Sequence, residues 1–261
     1  MIIDCHTHWG MVWEDKYGTE PAEWLRIPDS HGVSASLLMG HRGLCAHSDV
    51  GRANDIVAET CLKSGGKMFP LASVHPDTGE QSLLEFERCV RTLGMRGLKL
   101  HPWLQGFSVM SPAAMDLFRL AGDLDVPVIF HDGTPVYTMP AQIGGLALNF
   151  PKTVFVLGHS GLLELWRSAI EFARKLPNLY LTFCGPHKAG LQAIADRVDE
   201  ERLLWGTDFG FGFADSIGYR LHLVDLLKIT SRRKEKILGL NARRLFKLEP
   251  DLSAKAGRQR P

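Results

Sequence analysis

The first strand-like segment of the chain ends in a pair of histidines with the spacing of metal ligands. His6 and His8 lie in "MIIDCHTHWG", and Asp4 stands two positions before the first of them. An i, i+2 spacing puts both imidazoles on one face of a β-strand and Cys5 and Thr7 on the other. Neutral imidazole is a common ligand of divalent metals. We therefore predict that the pair binds a metal and that Asp4 either orients a ligand or anchors the floor of the barrel.

Four later strand-like segments also end in residues that bind metals or move protons. These residues are Lys99, His101, His131, His159 and Asp208. Together with the N-terminal pair, His131 and Asp208 make a set of three nitrogens and one oxygen. Such a set suits zinc, or manganese or iron, and leaves a position for water. We predict that Asp208 takes a proton from this water, and that His159 either deprotonates the water or binds a second metal.

Lys99 and His101, in "RGLKLHP", share one face of their segment and leave several interpretations open. Lys99 is an ammonium that pairs with an anionic substrate group, a carbamylated lysine that bridges two metals, or half of a buried ion pair. His101 precedes Pro102 and leaves the strand for a loop, where it is suited to contact substrate. We expect one ion rather than two. Lys99, His101 and His159 are the candidates for binding a second metal or the substrate.

Eight apolar segments, which alternate with amphipathic ones, must position these side chains. The strand candidates span residues 1–8, 34–40, 67–74, 95–101, 126–131, 153–159, 178–183 and 202–208. Continuous apolar runs of this kind are typical of parallel strands covered by helices. Eight strand–helix repeats in about 250 residues predict a distorted (β/α)8 TIM barrel whose active site lies at the carboxyl ends of the strands. We expect extra C-terminal helices, a single domain at 1–248, and a flexible tail at 249–261.

The amino-acid composition limits the classes of binding partner and the cellular compartment that we expect. Hydrophobic residues make up 45% of the 261 residues and the net charge is +1, so we expect a globular protein that binds no nucleic acid. No apolar run reaches the roughly 20 residues that span a bilayer, and no signal-peptide pattern precedes the first strand. Five scattered cysteines indicate free thiols. We expect a cytoplasmic location, no membrane partner, a small-molecule substrate with an anionic group, and a homodimer as one form of the assembly.

Several short motifs follow one another along nearly the whole chain, from residue 2 to about 248. They are DxHxH, "GLKLHP", "FHDG", "LGHSG", "WGTDF" and "ILGLNARRLFKL". In this order the chain resembles the amidohydrolase superfamily, and more narrowly its amidohydrolase-related (amidohydrolase 2) TIM-barrel hydrolases. The resemblance implies a divalent metal, usually zinc, held by the histidine pair, His131 and Asp208, with His159 positioning water or substrate. It also implies that Lys99 stands where some members of the superfamily carry a carbamylated lysine.

The resemblance leaves the reaction open between two classes. The family includes hydrolases of amides and lactones, and also non-oxidative decarboxylases of aromatic or unsaturated carboxylic acids. Because the decarboxylases are usually longer, with inserted loops, we predict a metal-dependent hydrolase that cleaves a small ester, lactone or amide with a metal-activated water. The alternative is a metal-dependent non-oxidative decarboxylase, and a non-catalytic metal-binding barrel is the alternative from another class.

Overall fold

Short parallel strands form the centre of the structure, and each overlaps a segment predicted to be a strand. The computed structural model describes residues 1–9, 20–41, 44, 49–211 and 216–248, so the predicted tail at 249–261 lies outside the described residues. The strands of the described part are β1 (Ile3–Trp9), β2 (Ala35–Gly40), β3 (Met68–Leu71), β4 (Leu98–Leu100), β5 (Val128–Phe130), β6 (Phe155–Leu157), β7 (Leu179–Phe183) and β8 (Leu203–Trp205).

These strands form two parallel sheets that meet at both edges. The first sheet contains β1 to β3 and the second contains β4 to β8, each in chain order. Isolated parallel bridges at Ala72–Leu98 and Thr7–Phe209 join the two sheets. At the second bridge the N–H of His8 donates to the carbonyl of Phe209 over 2.8 Å. The prediction of a distorted (β/α)8 TIM barrel is confirmed, and regular strand pairing is interrupted at the two bridges.

Helices follow the strands and cover the outside of the ring. They are α1 (Pro21–Ser30), α2 (Val50–Leu62), α3 (Glu80–Arg91), α4 (Pro102–Gln105), α5 (Pro112–Asp123), α6 (Pro140–Asn149), α7 (Trp166–Lys175), α8 (Lys188–Arg197), α9 (Ser216–Asp225), α10 (Ser231–Glu235) and α11 (Asn241–Leu245). A π-helical turn at Lys236–Leu240 connects the last two, which are the extra C-terminal helices predicted from the sequence. Ser111 caps α5, since its Oγ accepts the N–H of Ala114 over 3.3 Å. Among the described helices, none has the length and apolar character needed to cross a bilayer.

Two buried apolar cores hold this arrangement together. The larger core lies between the strands and the surrounding helices. The smaller one, which we call the interior core, is formed by inward-facing side chains from several strands and by side chains of α11 and the residues that follow it: Ile3, Cys5, Leu37, Met39, Leu71, Ile129, Val156, Leu204, Ala242, Phe246 and Leu248. Because α11 contributes to this core, the C-terminal helices complete the interior of the barrel as well as extending its outer layer.

The first strand departs from regular alternation, and one expectation is wrong as a result. The pairing of β1 with β2 shifts register between Asp4 and Thr7, as at a β-bulge. Cys5 packs in the interior core with Ile3, although His6 also faces the barrel interior. Strict alternation of side chains along the strand therefore predicts the wrong face for Cys5. This cysteine is a buried packing residue, but it lies inside the barrel and not on the face opposite the histidines.

The residue after β6 must be small because the ring of His6 lies against it. A Cβ at Gly158 would lie 2.4 Å from the carbonyl oxygen of Phe130 and 2.9 Å from Cε1 of His6. The lack of a side chain at Gly158 therefore leaves the space that the ring of His6 occupies.

We expect Gly158→Ala to lower the free energy of unfolding by about 1–3 kcal/mol, because the added methyl group overpacks a site bounded partly by backbone. Urea-induced unfolding measures the change. Gly145→Ala, in α6, is the matched control because its Cβ would meet nothing within 4 Å. That control should be neutral or stabilising by about 0.5–1 kcal/mol. Equal effects of the two substitutions would contradict the steric explanation.

Candidate metal centre

The side chain of Asp208, which follows β8, meets the side chains of His6 and His8 from β1 at the carboxyl ends of the strands. The Nε2 atoms of His6 and His8 lie 3.3 Å and 3.1 Å from Oδ1 of Asp208. A tetrahedral ion with ligands at about 2.1 Å separates its ligand atoms by about 3.4 Å, so each imidazole nitrogen lies at about the distance from the carboxylate oxygen that two ligands of one ion would have. The two histidines are buried, whereas 31% of the Asp208 side chain is exposed. The group is therefore accessible to solvent on its carboxylate side.

A backbone carbonyl determines which nitrogen of His6 faces this group. Nδ1 of His6 lies 3.1 Å from the carbonyl oxygen of Gly158, and a carbonyl can only accept a hydrogen bond. We therefore assign the hydrogen to Nδ1 and the lone pair to Nε2, the arrangement that second hydrogen bonds impose on metal-binding histidines. Burial, and then the charge of Lys99, lower the pKa of His6 well below its ordinary value, so the ring is neutral.

The carboxylate of Asp4 ties the start of β1 to the end of β8. Its Oδ1 accepts the N–H groups of His6 and Thr207, each over 3.1 Å, and its Oδ2 accepts the hydroxyl of Thr207 over 2.5 Å. The next residue, Asp208, donates its N–H to the carbonyl of His6 over 2.8 Å. Burial raises the pKa of Asp4 to about 7, while these hydrogen bonds oppose the shift. Asp4 thus positions the backbone of two candidate ligands.

Asp208 stands on a sharp turn that directs its carboxylate into the barrel mouth. Its φ is +62°, a left-handed conformation that aspartate adopts more readily than most residues. The carbonyl of Asp208 accepts the N–H of Phe211 over 3.0 Å and closes the turn. Burial opposes ionisation, but the hydrogen bond with His8 and the neighbouring His6 ring hold the pKa of Asp208 well below its ordinary value. The candidate oxygen ligand is therefore a carboxylate at neutral pH.

Lys99 reaches the same group from β4. Its side chain is fully buried, and its Nζ lies 2.9 Å from Nε2 of His6. Burial lowers the pKa of Lys99 to about 8, against the opposing charge of Asp208. The ammonium therefore donates to the lone pair that a metal bound to His6 would use.

A row of imidazoles continues around the barrel mouth from His6. Ring centroids lie 4.6 Å apart for His6 and His159, 4.5 Å for His159 and His131, and 3.9 Å for His131 and His101. The last two rings stack within 8° of parallel. Nε2 of His131 lies 3.1 Å from the hydroxyl of Thr134, and His101 caps α4. His131, the fourth ligand predicted from the sequence, thus lies beside His159 and His101 and not in the three-residue group.

Asp132 holds the loop that carries His159. This buried carboxylate accepts the N–H groups of His159 and Gly161, each over 2.6 Å. Ser160, between them, has a φ of +49°, and its hydroxyl donates to a carbonyl of β7 over 2.8 Å. Nε2 of His159 is left buried without a hydrogen-bond partner among the described residues. Burial lowers the pKa of His159 to about 4, so the ring is a neutral base at neutral pH.

Sequence reasoning missed two residues of this region. Asp132 acts through backbone N–H groups, a role that residue type alone does not reveal. Cys184, treated above only as one of five scattered thiols, lies with its Sγ within 4.8 Å of ring nitrogens of His6 and His159. Both residues follow a strand within two positions, so the signal that could have found them is their place at the barrel rim.

We expect Asp132→Asn to loosen the loop that carries His159. An amide keeps one acceptor oxygen where the carboxylate offers two, so one buried N–H group loses its partner at a cost of about 1–3 kcal/mol. Hydrogen exchange at the amides of His159 and Gly161 should accelerate, as mass spectrometry or NMR can measure. Asp116→Asn, on the exposed face of α5, is the matched control and should change neither amide. Unchanged protection in Asp132→Asn would contradict the assigned role.

Comparison with known proteins places this barrel among enzymes. A family model described as Amidohydrolase (Amidohydro_2) matches residues 3–248. Gamma-resorcylate decarboxylase of Rhizobium sp. (strain MTP-10005) is 24% identical, over 86% of this chain and 86% of that enzyme. A 2-keto-4-carboxy-3-hexenedioate hydratase of Sphingobium sp. (strain NBRC 103272 / SYK-6) is 26% identical, over 79% and 70%. The solved structure of a dihydroxybenzoic acid decarboxylase from Polaromonas sp. JS666, with manganese and the inhibitor 2-nitroresorcinol, has a TM-score of 0.73 at 20% identity, over 95% and 97%.

These relatives overturn the prediction of a hydrolase. The enzymes that match over most of the chain are decarboxylases and a hydratase, so cleavage of an ester, lactone or amide is the wrong reaction class. The difference in length does not exclude a decarboxylase: the alignment with gamma-resorcylate decarboxylase extends over 287 positions, more than the 261 residues of this chain, so that enzyme carries inserted segments, yet the match covers 86% of each chain. The family match itself runs from β1 through β8 to the C-terminal helices, and so includes every residue of the candidate metal centre. The chain belongs to the Amidohydrolase family.

Proposed function

We propose that this protein is a metal-dependent non-oxidative decarboxylase of a small aromatic or unsaturated carboxylic acid. The observation that carries the proposal is the match to gamma-resorcylate decarboxylase over 86% of both chains. The group formed by His6, His8 and Asp208 supports it, since two imidazoles and a carboxylate leave room for substrate oxygens on the same ion. A buried lysine beside the group favours an anionic substrate.

The candidate ligands of the cation are His6, His8 and Asp208, which meet in the structure. His131 stays the fourth ligand predicted from the sequence, although it lies beside His159 and not within this group. The spacing within the group and the lone pair on Nε2 of His6 fit a divalent ion. The manganese in the related dihydroxybenzoic acid decarboxylase makes manganese the first ion to test, ahead of zinc and iron. When bound, such a cation supplies a Lewis acid that holds the substrate's carboxylate and a neighbouring oxygen. Among the described residues one group has this composition, which favours one ion.

Lys99 is suited to hold the charge of the substrate. Its ammonium now donates to Nε2 of His6. Once that lone pair is used in ligation, the ammonium is free to pair with an anionic oxygen of the substrate. This role follows the first of the three interpretations of Lys99, and it requires no modification of the side chain.

His159 is the residue we propose to move the proton. Its Nε2 is buried and unpartnered among the described residues, so the neutral ring can take a proton from solvent there, and the negative charge of a bound substrate favours the protonated ring. In the reaction, the bond between the substrate carbon and its carboxylate breaks, and the electron pair stays with that carbon. Carbon dioxide leaves, and the proton from Nε2 of His159 forms the new C–H bond. Asp208, whose negative charge favours the protonated form of His159, stabilises the imidazolium that forms before this transfer.

We expect the Mn²⁺ affinity of His8→Ala and of Asp208→Asn to fall at least about 10- to 100-fold. Loss of a residue that hydrogen-bonds to a metal ligand has an effect of this size, and each of these substitutions removes a proposed ligand itself. Electron paramagnetic resonance of Mn²⁺ in solution, with metal analysis of the dialysed protein, measures the change. His222→Ala, on an exposed position of α9, is the matched control and should bind Mn²⁺ as the natural chain does. Full metal content in both ligand variants would refute the proposed centre.

We expect the Mn²⁺-loaded protein to release carbon dioxide from one or more members of a panel of hydroxylated benzoates and unsaturated acids. In D₂O the product should carry one deuterium at the carbon that lost its carboxylate. His159→Gln should lower kcat by about 10²- to 10⁴-fold with Mn²⁺ binding retained, since it removes the proton donor.

Two outcomes of this assay count against the proposal. Addition of water to an unsaturated keto acid, with no carbon dioxide, would make the protein a hydratase like its Sphingobium relative. Full activity in His159→Gln would remove His159 from the reaction while leaving the decarboxylase assignment intact.

A further inference from the structure

Cys184 lies beside the candidate metal centre, yet the proposed reaction does not use it. It follows β7 directly, and only 1% of the residue is exposed. Its Sγ and one ring nitrogen each of His6 and His159 lie within 4.8 Å of one another. These three buried groups form a second cluster of ligand atoms that shares His6 with the first.

An independent observation shows that this cluster has unused ligand capacity. Nε2 of His159 is buried and has no hydrogen-bond partner in the part of the chain that the structure describes. An unsatisfied buried nitrogen is costly unless something binds it. The backbone of the same residue is fixed by Asp132, so the ring is held next to the thiol.

We propose that His6, His159 and Cys184 form a second metal position, selective for soft divalent cations, that competes with the first one. Thiolate sulfur prefers zinc and cadmium, whereas imidazole with carboxylate accepts harder ions such as manganese. On binding, the bond between Sγ and the cation forms as the thiol releases its proton to solvent. The inference rests on the proposed metal centre only through the shared residue, His6.

The two positions exclude each other because His6 has one nitrogen to offer. Nδ1 faces the carbonyl of Gly158, so only Nε2 is available to a cation. A soft cation at the sulfur position therefore removes a ligand from the manganese position, and it also occupies the imidazole that we propose to move the proton. The class of metal determines where it binds, and soft metals act as inhibitors.

The test uses the full-length, metal-free protein titrated with Cd²⁺ alone. We expect one equivalent of Cd²⁺ and an ultraviolet thiolate-to-cadmium charge-transfer band. Cys184→Ser should lose the band, and its Cd²⁺ affinity should fall at least about tenfold. Loss of a residue that only hydrogen-bonds to a metal ligand typically lowers metal affinity by that factor, so loss of a ligand should lower it at least as much. Mn²⁺ binding, followed by electron paramagnetic resonance, should be unchanged in this variant and shows that it is folded. Cys184→Ala provides a second variant of the same site.

Cys61→Ser is the matched control, because Cys61 is also a buried thiol but lies on α2. It should keep both the band and Mn²⁺ binding. In the natural chain, Cd²⁺ should displace Mn²⁺ one for one, and simultaneous binding of both ions would overturn the shared ligand. A band that persists in Cys184→Ser, or its absence in a natural chain that binds Mn²⁺, would overturn the soft-metal position alone. A Cd²⁺–thiolate band without any Mn²⁺ binding would instead refute the proposed manganese centre.

Discussion

The hydrogen bonds of Asp4 join β1 to the residues that follow β8, and the candidate site depends on that junction. Asp4 and Thr207 are 203 residues apart in the chain, yet one carboxylate accepts both the N–H and the hydroxyl of Thr207. The backbone of Asp208 then pairs with that of His6. Two ligand-bearing segments are thereby held in register by main-chain geometry, so their side chains need little reorganisation to meet a cation.

Burial in the barrel mouth gives these groups their chemical character. It lowers the pKa values of the histidines, which stay neutral and can bind a metal, and it lowers that of Lys99 to about 8. Asp208 is ionised at neutral pH and is the member of the three-residue group with access to solvent. Neutral imidazoles beside a carboxylate attract a divalent cation more readily than protonated rings would. The arrangement thus favours metal ligation over internal ion pairing.

The sequence predicted the barrel and brought forward most of the residues at its mouth, because both depend on local pattern. Continuous apolar runs locate the strands, and the types of residue at the strand ends locate the rim. The β-bulge near Cys5 was not predictable, since an inserted residue leaves no trace in hydrophobic periodicity. The positions of Asp132 and Cys184 depend on how loops fold over neighbouring strands. The motifs also could not predict the reaction class, because the same ligand pattern implies a metal in hydrolases and decarboxylases alike.

The segment from α11 to Leu248 constrains when the barrel can close during synthesis of the chain. Ala242, Phe246 and Leu248 pack in the interior core with side chains from β1 and β2, so the inside of the ring is incomplete without the last described residues. Because synthesis proceeds from the N-terminus, a nascent chain on the ribosome exposes the apolar inner faces of its early strands until these residues emerge. Closure of the barrel, and with it the meeting of His6 and Asp208, therefore follows the synthesis of the residues up to Leu248.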